Sequence, residues 1–527
     1  VRHALAVLAA VVAVAAGLGS GAATAAAAPA ALDPPDGPRT LTREQAEARW
    51  ADAASRFVEL DGVRVHYKDE GSGPALLLVH GSFGDLADWD GWVESLKGRW
   101  RVVRFDRPGA GLTGPVASGN YSLDRQLALV DALMDELGIE RFAIAGASLG
   151  GPVAFRYAAT RTERVTALVL LNSAGIEYGG RKGTTTPPPP SAYGWSVAPT
   201  VSRAEVRDTF ATIVNDPARR PDAFVERKFQ LHAIVGREAE ALTTIRQYER
   251  GTPERILAHV RAPSLVQWGS GNRALSTQTA DAFAAALKNA AVVEKLVYPG
   301  AGHMIHVERP GQTAADAERF LDRYARAPAP PRDALAAHWV RAAGTWVGEA
   351  GYLDGELAPN VARYGALLQI GVDGGAVTQQ EWKFYPASSL ARQMVKALTG
   401  ADLAAGDGLE FVSAARGVPG PNGSLDFGAE GGAFVAAGEG TAAGSVLATD
   451  GGVRYRFHYT FPAPDRMVRT TLGFAPDGAL KGVSVFRYRR IAPDQLEPER
   501  RRMEREFGVA TEIDRTGAQP VQRPVTR

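Results

Sequence analysis

The chain has 527 residues, with 59 Lys+Arg against 58 Asp+Glu and a formal net charge of +1. That balance leaves no global field to hold nucleic acid or an acidic membrane. Cys is 0, so disulfides, thiolate metal sites, cysteine nucleophiles and lipoprotein anchoring are excluded together.

Arg2 and His3 precede an apolar run at 4–18, and small residues follow through Ala28. This pattern reads as a secretory signal over 1–28. The apolar run falls short of the roughly 20 residues a bilayer span needs. The expected protein is secreted or periplasmic, with no membrane span after signal cleavage. Residues 29–55 read as a linker with a short helix.

Strands and helices alternate from 56 to 326. Strands are expected at 56–60, 63–67, 75–80, 101–106, 141–146, 166–172, 264–268 and 292–298. Helical patterns lie at 122–137, 149–159, 277–288 and 313–325. The runs LLLV, FAIA and ALVLL are almost wholly apolar, as in parallel strands buried on both faces. The expected fold class is α/β, with a mostly parallel eight-stranded sheet. The alternation breaks over about 175–260, where helical stretches at 203–214 and 223–234 would form a lid.

A Pro-rich linker at 327–332 follows, and beyond it the period becomes 2. Tyr455, Phe457, Tyr459 and Phe461 alternate with Arg454, Arg456, His458 and Thr460, and Asp-Gly turns recur. Residues 333–491 are therefore expected to form an all-β, barrel-like domain. Residues 492–527 read as a charged helix and a disordered tail.

Gly146-Ala147-Ser148-Leu149-Gly150 follows an apolar strand and opens a helix pattern. This is the setting in which G-x-S-x-G makes a tight turn and projects its serine. Small flanking residues are needed because side chains there would strike neighbouring elements. Ser148 is the candidate nucleophile, and the Leu149 amide a donor to a developing oxyanion. His80-Gly81-Ser82-Phe83-Gly84 follows the third strand, and the amide of Ser82 or Phe83 would be the second donor. Gly300-Ala301-Gly302-His303 follows the last strand, where His303 could act as base toward Ser148.

The motifs HGSFG, FDRPGAGLT, GASLGG, RVTALVLLNSAG and GAGHMIHVERP make residues 57–326 resemble the α/β-hydrolase superfamily. The likeness is greatest to its epoxide-hydrolase, C–C-bond hydrolase and esterase branch. It implies attack by Ser148, proton transfer to His303, an oxyanion held by two amides, and no cofactor or metal. The implied substrate is small, apolar and ester-like or lactone-like. Serine at 148 argues against dehalogenase and epoxide-hydrolase chemistry, which use aspartate there.

One departure stands out. The family acid follows W-G-x-x, and here Trp268-Gly269-Ser270-Gly271 leads to Asn272. The alternative acid position holds Asn172. Three readings stay open. Asn272 supports a slow or specialised hydrolase; another carboxylate substitutes, with Glu177 a candidate; or the site is inactive and binds a ligand.

Beyond the linker, Gly344-Thr345-Trp346 near the first strand resembles the lipocalin-like (calycin) pattern. There an arginine of the last strand, Arg487 or Arg489 here, packs across the tryptophan. Such a barrel could hold an apolar ligand. The alternative is an ordinary β-sandwich with a core tryptophan.

Overall fold

The computed structural model describes residues 34–162, 164–176, 194–248, 251–325, 334–419, 425–426, 433–438, 441–447, 454–475, 479–516 and 521–525. The signal segment 1–28, Glu177 and the Pro-rich linker lie outside them.

The first half is built on strands β1 (Arg56–Leu60), β2 (Val63–Glu70), β3 (Ala75–Val79), β4 (Arg101–Phe105), β5 (Phe142–Ala147), β6 (Val165–Leu171), β7 (Ser264–Gly269) and β8 (Val293–Tyr298). They form one sheet in the order 8-7-6-5-3-4-2-1. The pairs from β4 through β8 are parallel, and β1 and β2 add an antiparallel edge.

The apolar runs are explained by two covered faces. Leu77, Val79, Ile144, Leu168 and Leu170 pack with Val130, Val153 and Phe283 from helices Leu123–Glu136, Gly150–Thr160 and Thr277–Ala286. The alternate residues Leu76, Leu78, Ala143, Ala145 and Val169 pack with Trp92, Leu96, Phe320 and Leu321 on the other side.

The lid comprises helices Arg203–Ile213, Asp222–His232 and Arg237–Arg246. The stretch read as a linker is folded onto it. Gly37–Pro38 pairs antiparallel with Thr200–Val201, and Leu41 bridges to Ile234. Helix Arg43–Trp50 starts in a Thr42–Gln45 capping box. The buried Arg39 guanidinium donates to the carbonyls of His232, of Trp195 at 2.8 Å and of Ala198 at 3.0 Å. Leu41 and Ala46 join the apolar core of the lid.

The second half is β-rich. Its strands are β9 (Gly344–Asp354), β10 (Pro359–Asp373), β11 (Ala376–Tyr385), β12 (Gly408–Pro419), β13 (Leu425–Asp426), β14 (Ala433–Gly438), β15 (Thr441–Leu447), β16 (Arg454–Ala463), β17 (Arg466–Phe474) and β18 (Leu480–Ile491). Each pairs antiparallel with the next, and β18 pairs back onto β9, so the strands close into a ring. Trp346, Tyr364, Leu368, Met467 and Phe486 belong to the apolar core of this half.

Neither Arg487 nor Arg489 covers Trp346; Arg490 does, with its guanidinium carbon 4.2 Å from the ring centroid. The reason is register. Trp346 lies directly opposite Arg490 across β9–β18, so the two share a face. Arg487 and Arg489 alternate onto the other face, where Arg489 pairs with Glu499 at 2.9 Å.

The described residues of the charged C-terminus, 492–516 and 521–525, form regular elements, against the expectation of a disordered tail. Helix Leu496–Glu506 is followed by β19 (Val509–Arg515), parallel to β12, and β20 (Val521–Pro524). Met503 and Phe507 pack on Val347, Leu367, Trp382 and Val412. A narrow apolar stripe beneath dense surface charge is what holds the helix.

The two halves share one compact unit, Asp36–Arg527. Leu472, Phe474, Leu480 and Val483 of the β-rich half join the core around helix Gly150–Thr160. Beside them Asp131 accepts from Tyr157 at 2.8 Å, and pairs with Arg161 at 2.8 Å and Arg164 at 3.2 Å. Arg456 reaches it from β16 at 2.9 Å. Burial alone would raise the Asp131 pKa, but the arginines hold it well below the usual carboxylate range. Replacing Asp131 by Ala would strand these arginines, with an expected loss of about 3–5 kcal/mol. Urea denaturation measures it. The carboxyl is depressed in the folded state, so its contribution is present above the ordinary carboxylate pKa and is lost as pH falls below it. The wild-type and Ala variant stabilities should therefore converge on acidification.

Candidate active site

Ser148 joins β5 to helix Gly150–Thr160 in a left-handed conformation, φ +49°. The flanking glycines are a steric necessity. A Cβ on Gly146 would lie 2.4 Å from the Gly150 carbonyl oxygen, and one on Gly150 would lie 2.2 Å from that of Val79. One on Gly151 would lie 1.9 Å from Ser173 Oγ. The turn is pinned to β6, with the Ser148 amide donating to Leu171 at 3.1 Å and the Ala174 amide to the Ser148 carbonyl at 2.9 Å.

The loop after β3 lies against the serine. A Cβ on Gly81 would sit 2.8 Å from Ser148 Cβ and 3.5 Å from its Oγ. Phe83 in this loop has φ +59°. The structure thus brings Gly81, next to Ser82 and Phe83, up to Ser148, while Leu149 stands at the N-cap of helix Gly150–Thr160. His80 is structural, its Nε2 accepting the Arg107 amide at 3.0 Å.

His303 follows β8. Its amide donates to Ile213 of the lid at 2.8 Å. Asn172, fully buried at φ +42°, donates through Nδ2 to the carbonyls of Gly302 at 3.1 Å and His303 at 2.7 Å. Its Oδ1 accepts from Gly269 at 3.0 Å. Segment 171–174 therefore holds the serine turn with its backbone and the histidine loop with the Asn172 side chain. Sequence reasoning weighed Asn172 only as a missing acid; it is a staple. Glu308 was missed: its buried carboxylate accepts the Gly302 amide at 2.9 Å and the Asn215 amide at 2.8 Å.

Asn272 does not take the acceptor role assigned to it. Its Oδ1 accepts the amides of Ala274 at 3.0 Å and Leu275 at 3.1 Å. Reversing the side-chain amide would set its NH₂ against two N–H donors, so the orientation is forced. What remains free is Nδ2, a donor, buried without a partner. His303 Nδ1 is likewise closed off without a partner, although the residue as a whole is half-buried. Burial alone pushes the His303 pKa down to about 4.

The lid brings apolar surface over the loop. Phe83 lies 5.4 Å from Trp195, which meets His232 edge-on at 4.7 Å. Met304, Leu112, Phe210 and Phe229 complete that cluster.

A family model for the alpha/beta hydrolase fold matches residues 74–239. The chain is 29% identical over 268 residues to a dihydrolipoyllysine-residue acetyltransferase component of an acetoin cleaving system from Cupriavidus necator, covering 49% of this chain and 67% of that one. It is 27% identical over 238 residues to a 2-hydroxy-6-oxononadienedioate/2-hydroxy-6-oxononatrienedioate hydrolase from Burkholderia vietnamiensis, covering 42% of this chain and 80% of that one. It is 39% identical over 109 residues to a pimeloyl-[acyl-carrier protein] methyl ester esterase from Nitrosomonas europaea, covering 21% of this chain and 41% of that one. The chain thus spans under half the length of the esterase. Its first half has the α/β-hydrolase fold, followed by a separate β-rich part.

Two predictions follow from the histidine. Asn272→Asp puts a carboxylate where the family resemblance expects the acid, in place of the orphaned Nδ2 donor. We expect kcat/KM on a short-chain aryl ester to rise at least about tenfold, short of the roughly 10⁴ an aspartate-to-asparagine change costs a serine protease. Second, a base must be neutral, and His303 stays neutral down to about pH 4. The acid limb of kcat/KM should therefore lie near there rather than near an ordinary histidine pKa, and in Asn272→Asp it should move upward, because a carboxylate favours the imidazolium.

Proposed function

We propose that the protein is a serine hydrolase, secreted or periplasmic, that cleaves a small apolar ester or lactone through a Ser148 acyl-enzyme. The observation that carries this reading is the left-handed Ser148 between a parallel strand and a helix start, with the Gly81 backbone against it. Ser148 Oγ attacks the acyl carbon, His303 takes its proton, and the amides of Leu149 and Ser82 or Phe83 receive the oxyanion. The proton then passes to the leaving group, and water repeats the sequence on the acyl-enzyme. The aromatic cluster of Phe83 and Trp195 supports an apolar acyl group. The similarity to an esterase and to a C–C-bond hydrolase supports acyl chemistry.

One observation favours a second reading, a ligand-binding protein without turnover: among the described residues His303 Nδ1 has no acceptor. An imidazolium formed at Ser148 attack would be unpaired in a desolvated place. Covalent labelling by a fluorophosphonate separates the two. The hydrolase reading expects labelling of wild type and none of Ser148→Ala, with ester turnover falling at least about a thousandfold in that variant. Identical behaviour of the two proteins across an ester panel would establish the binding reading.

A further inference from the structure

A buried charge network joins the lid to the loop beside Ser148, and the mechanism above makes no use of it. Lys228, on lid helix Asp222–His232, places Nζ 2.6 Å from Asp85 Oδ2 and 2.5 Å from Asp88 Oδ1. The three side chains are 1–2% exposed. The neighbouring Arg227 donates twice to Asp85 Oδ1, at 3.0 and 2.8 Å.

Asp85 and Asp88 are the two halves of a capping box. Asp85 caps the short 3₁₀ turn Leu86–Trp89, and Asp88 Oδ2 accepts the Asp85 amide at 3.3 Å. This box closes the far end of the loop that begins at Gly81. Gly84 lies directly under it, since a Cβ there would be 2.4 Å from Asp88 Oδ2. The lid helix also touches the strained residue, through His232 Nε2 3.4 Å from the Phe83 carbonyl.

A capping box of two carboxylates is self-repelling. Buried together, both stay ionised only beside a cation. That cation comes from the lid. With the helix unseated, one acid would take up a proton and the box would lose a charged arm. The loop between Gly81 and Asp85 would then be free to leave its strained path. Buried ion pairs contribute little net stability compared with well-packed apolar side chains. Their effect here is geometric.

We propose that Lys228 is a positioning residue: by neutralising the Asp85–Asp88 box it sets the Ser82–Phe83 amides at the oxyanion position only when the lid helix is seated. The proposal rests on the hydrolase reading. Lid seating and completion of the oxyanion hole are then one event.

Lys228→Met alone strands two buried carboxylates and could unfold the chain. The test therefore uses Lys228→Gln, which keeps a donor toward both carboxylates and removes only the charge, with Lys228→Met/Asp88→Asn as the control in which the box needs no cation and the effects below should be largely reversed. Three quantities are measured on the full chain: kcat and KM for an aryl ester, inhibition by an alkylboronic acid, and amide hydrogen exchange over 80–90. A boronate adduct on Ser148 places an oxygen where the oxyanion forms. We expect kcat to fall about 10²–10³-fold, the scale of losing one oxyanion donor. Boronate affinity should fall in step, KM should stay within about threefold on this transition-state-only logic, and exchange over 81–88 should quicken. Unchanged kcat and boronate affinity, or a rise in KM alone with unchanged exchange, would overturn the proposal and leave Lys228 as lid packing. If wild type neither turns over esters nor binds boronate, the hydrolase reading fails. The exchange arm still decides the coupling: quicker exchange supports it and unchanged exchange overturns it.

Discussion

The site depends on a single left-handed residue. Ser148 carries a β-carbon in a region of backbone space that costs about 1–3 kcal/mol to occupy, so its surroundings must over-determine it. They do so by crowding. Gly146, Gly150 and Gly151 let β3, helix Gly150–Thr160 and the segment after β6 approach to distances that no side chain would allow. The same closeness delivers the Gly81 loop to the serine. Strain, glycine content and the approach of the Gly81 loop are therefore one feature seen from three directions. Asn172 repeats the device one strand over, at φ +42°, and uses its side chain to hold the histidine loop.

Among the described residues no carboxylate meets His303 Nδ1. A carboxylate at residue 272 would need donors and would sit in a desolvated region. Asparagine keeps the two backbone donors satisfied through Oδ1 and carries no charge. The cost appears at the other end. Burial pushes the His303 pKa down to about 4, and among the described residues its Nδ1 has no partner, so an imidazolium there is disfavoured. On the proposed acyl-transfer reading, such a site would suit an activated substrate, whose leaving group asks little of the base.

Much of this was legible in the amino-acid order, for physical reasons that also mark where it stopped. The parallel strands were readable because both faces are covered, which leaves uninterrupted apolar runs such as Leu76–Leu77–Leu78. The elbow was readable because its sterics admit few residues. The ring was suggested by period-2 alternation and Asp-Gly turns. The tryptophan's partner was expected to be Arg487 or Arg489 and is Arg490, because composition does not display the register that sets Trp346 opposite Arg490. The N-terminal strap was read as a linker because Arg39 binds backbone carbonyls, and those leave no pattern in side chains. The tail was read as disordered because Met503 and Phe507 are a thin stripe under abundant charge. Lys228 was invisible for a related reason. It occupies a buried position on an otherwise apolar face, beside Val225 and Phe229, and its partners lie over 130 residues away in the chain.

The β-rich half is built into the support of the elbow. Helix Gly150–Thr160 begins beside Ser148 and ends against that half. Arg156 on it lies 3.5 Å from Glu356 in the β9–β10 turn, and Arg255 fixes the Glu356 carbonyl at 2.8 Å. Tyr157 and the following Arg161 meet Asp131, which also takes Arg456, while the Arg161 guanidinium lies 4.0 Å over the Phe474 ring. Leu357, itself at φ +57°, buries its side chain in the same core. A strained turn keeps its shape only if both flanking elements are rigid. β5 is fixed by parallel neighbours on both sides. The helix packs on the sheet and on helix Leu123–Glu136, and its far end is also held by contacts the second half provides. The support of Ser148 accordingly draws on both halves of the unit.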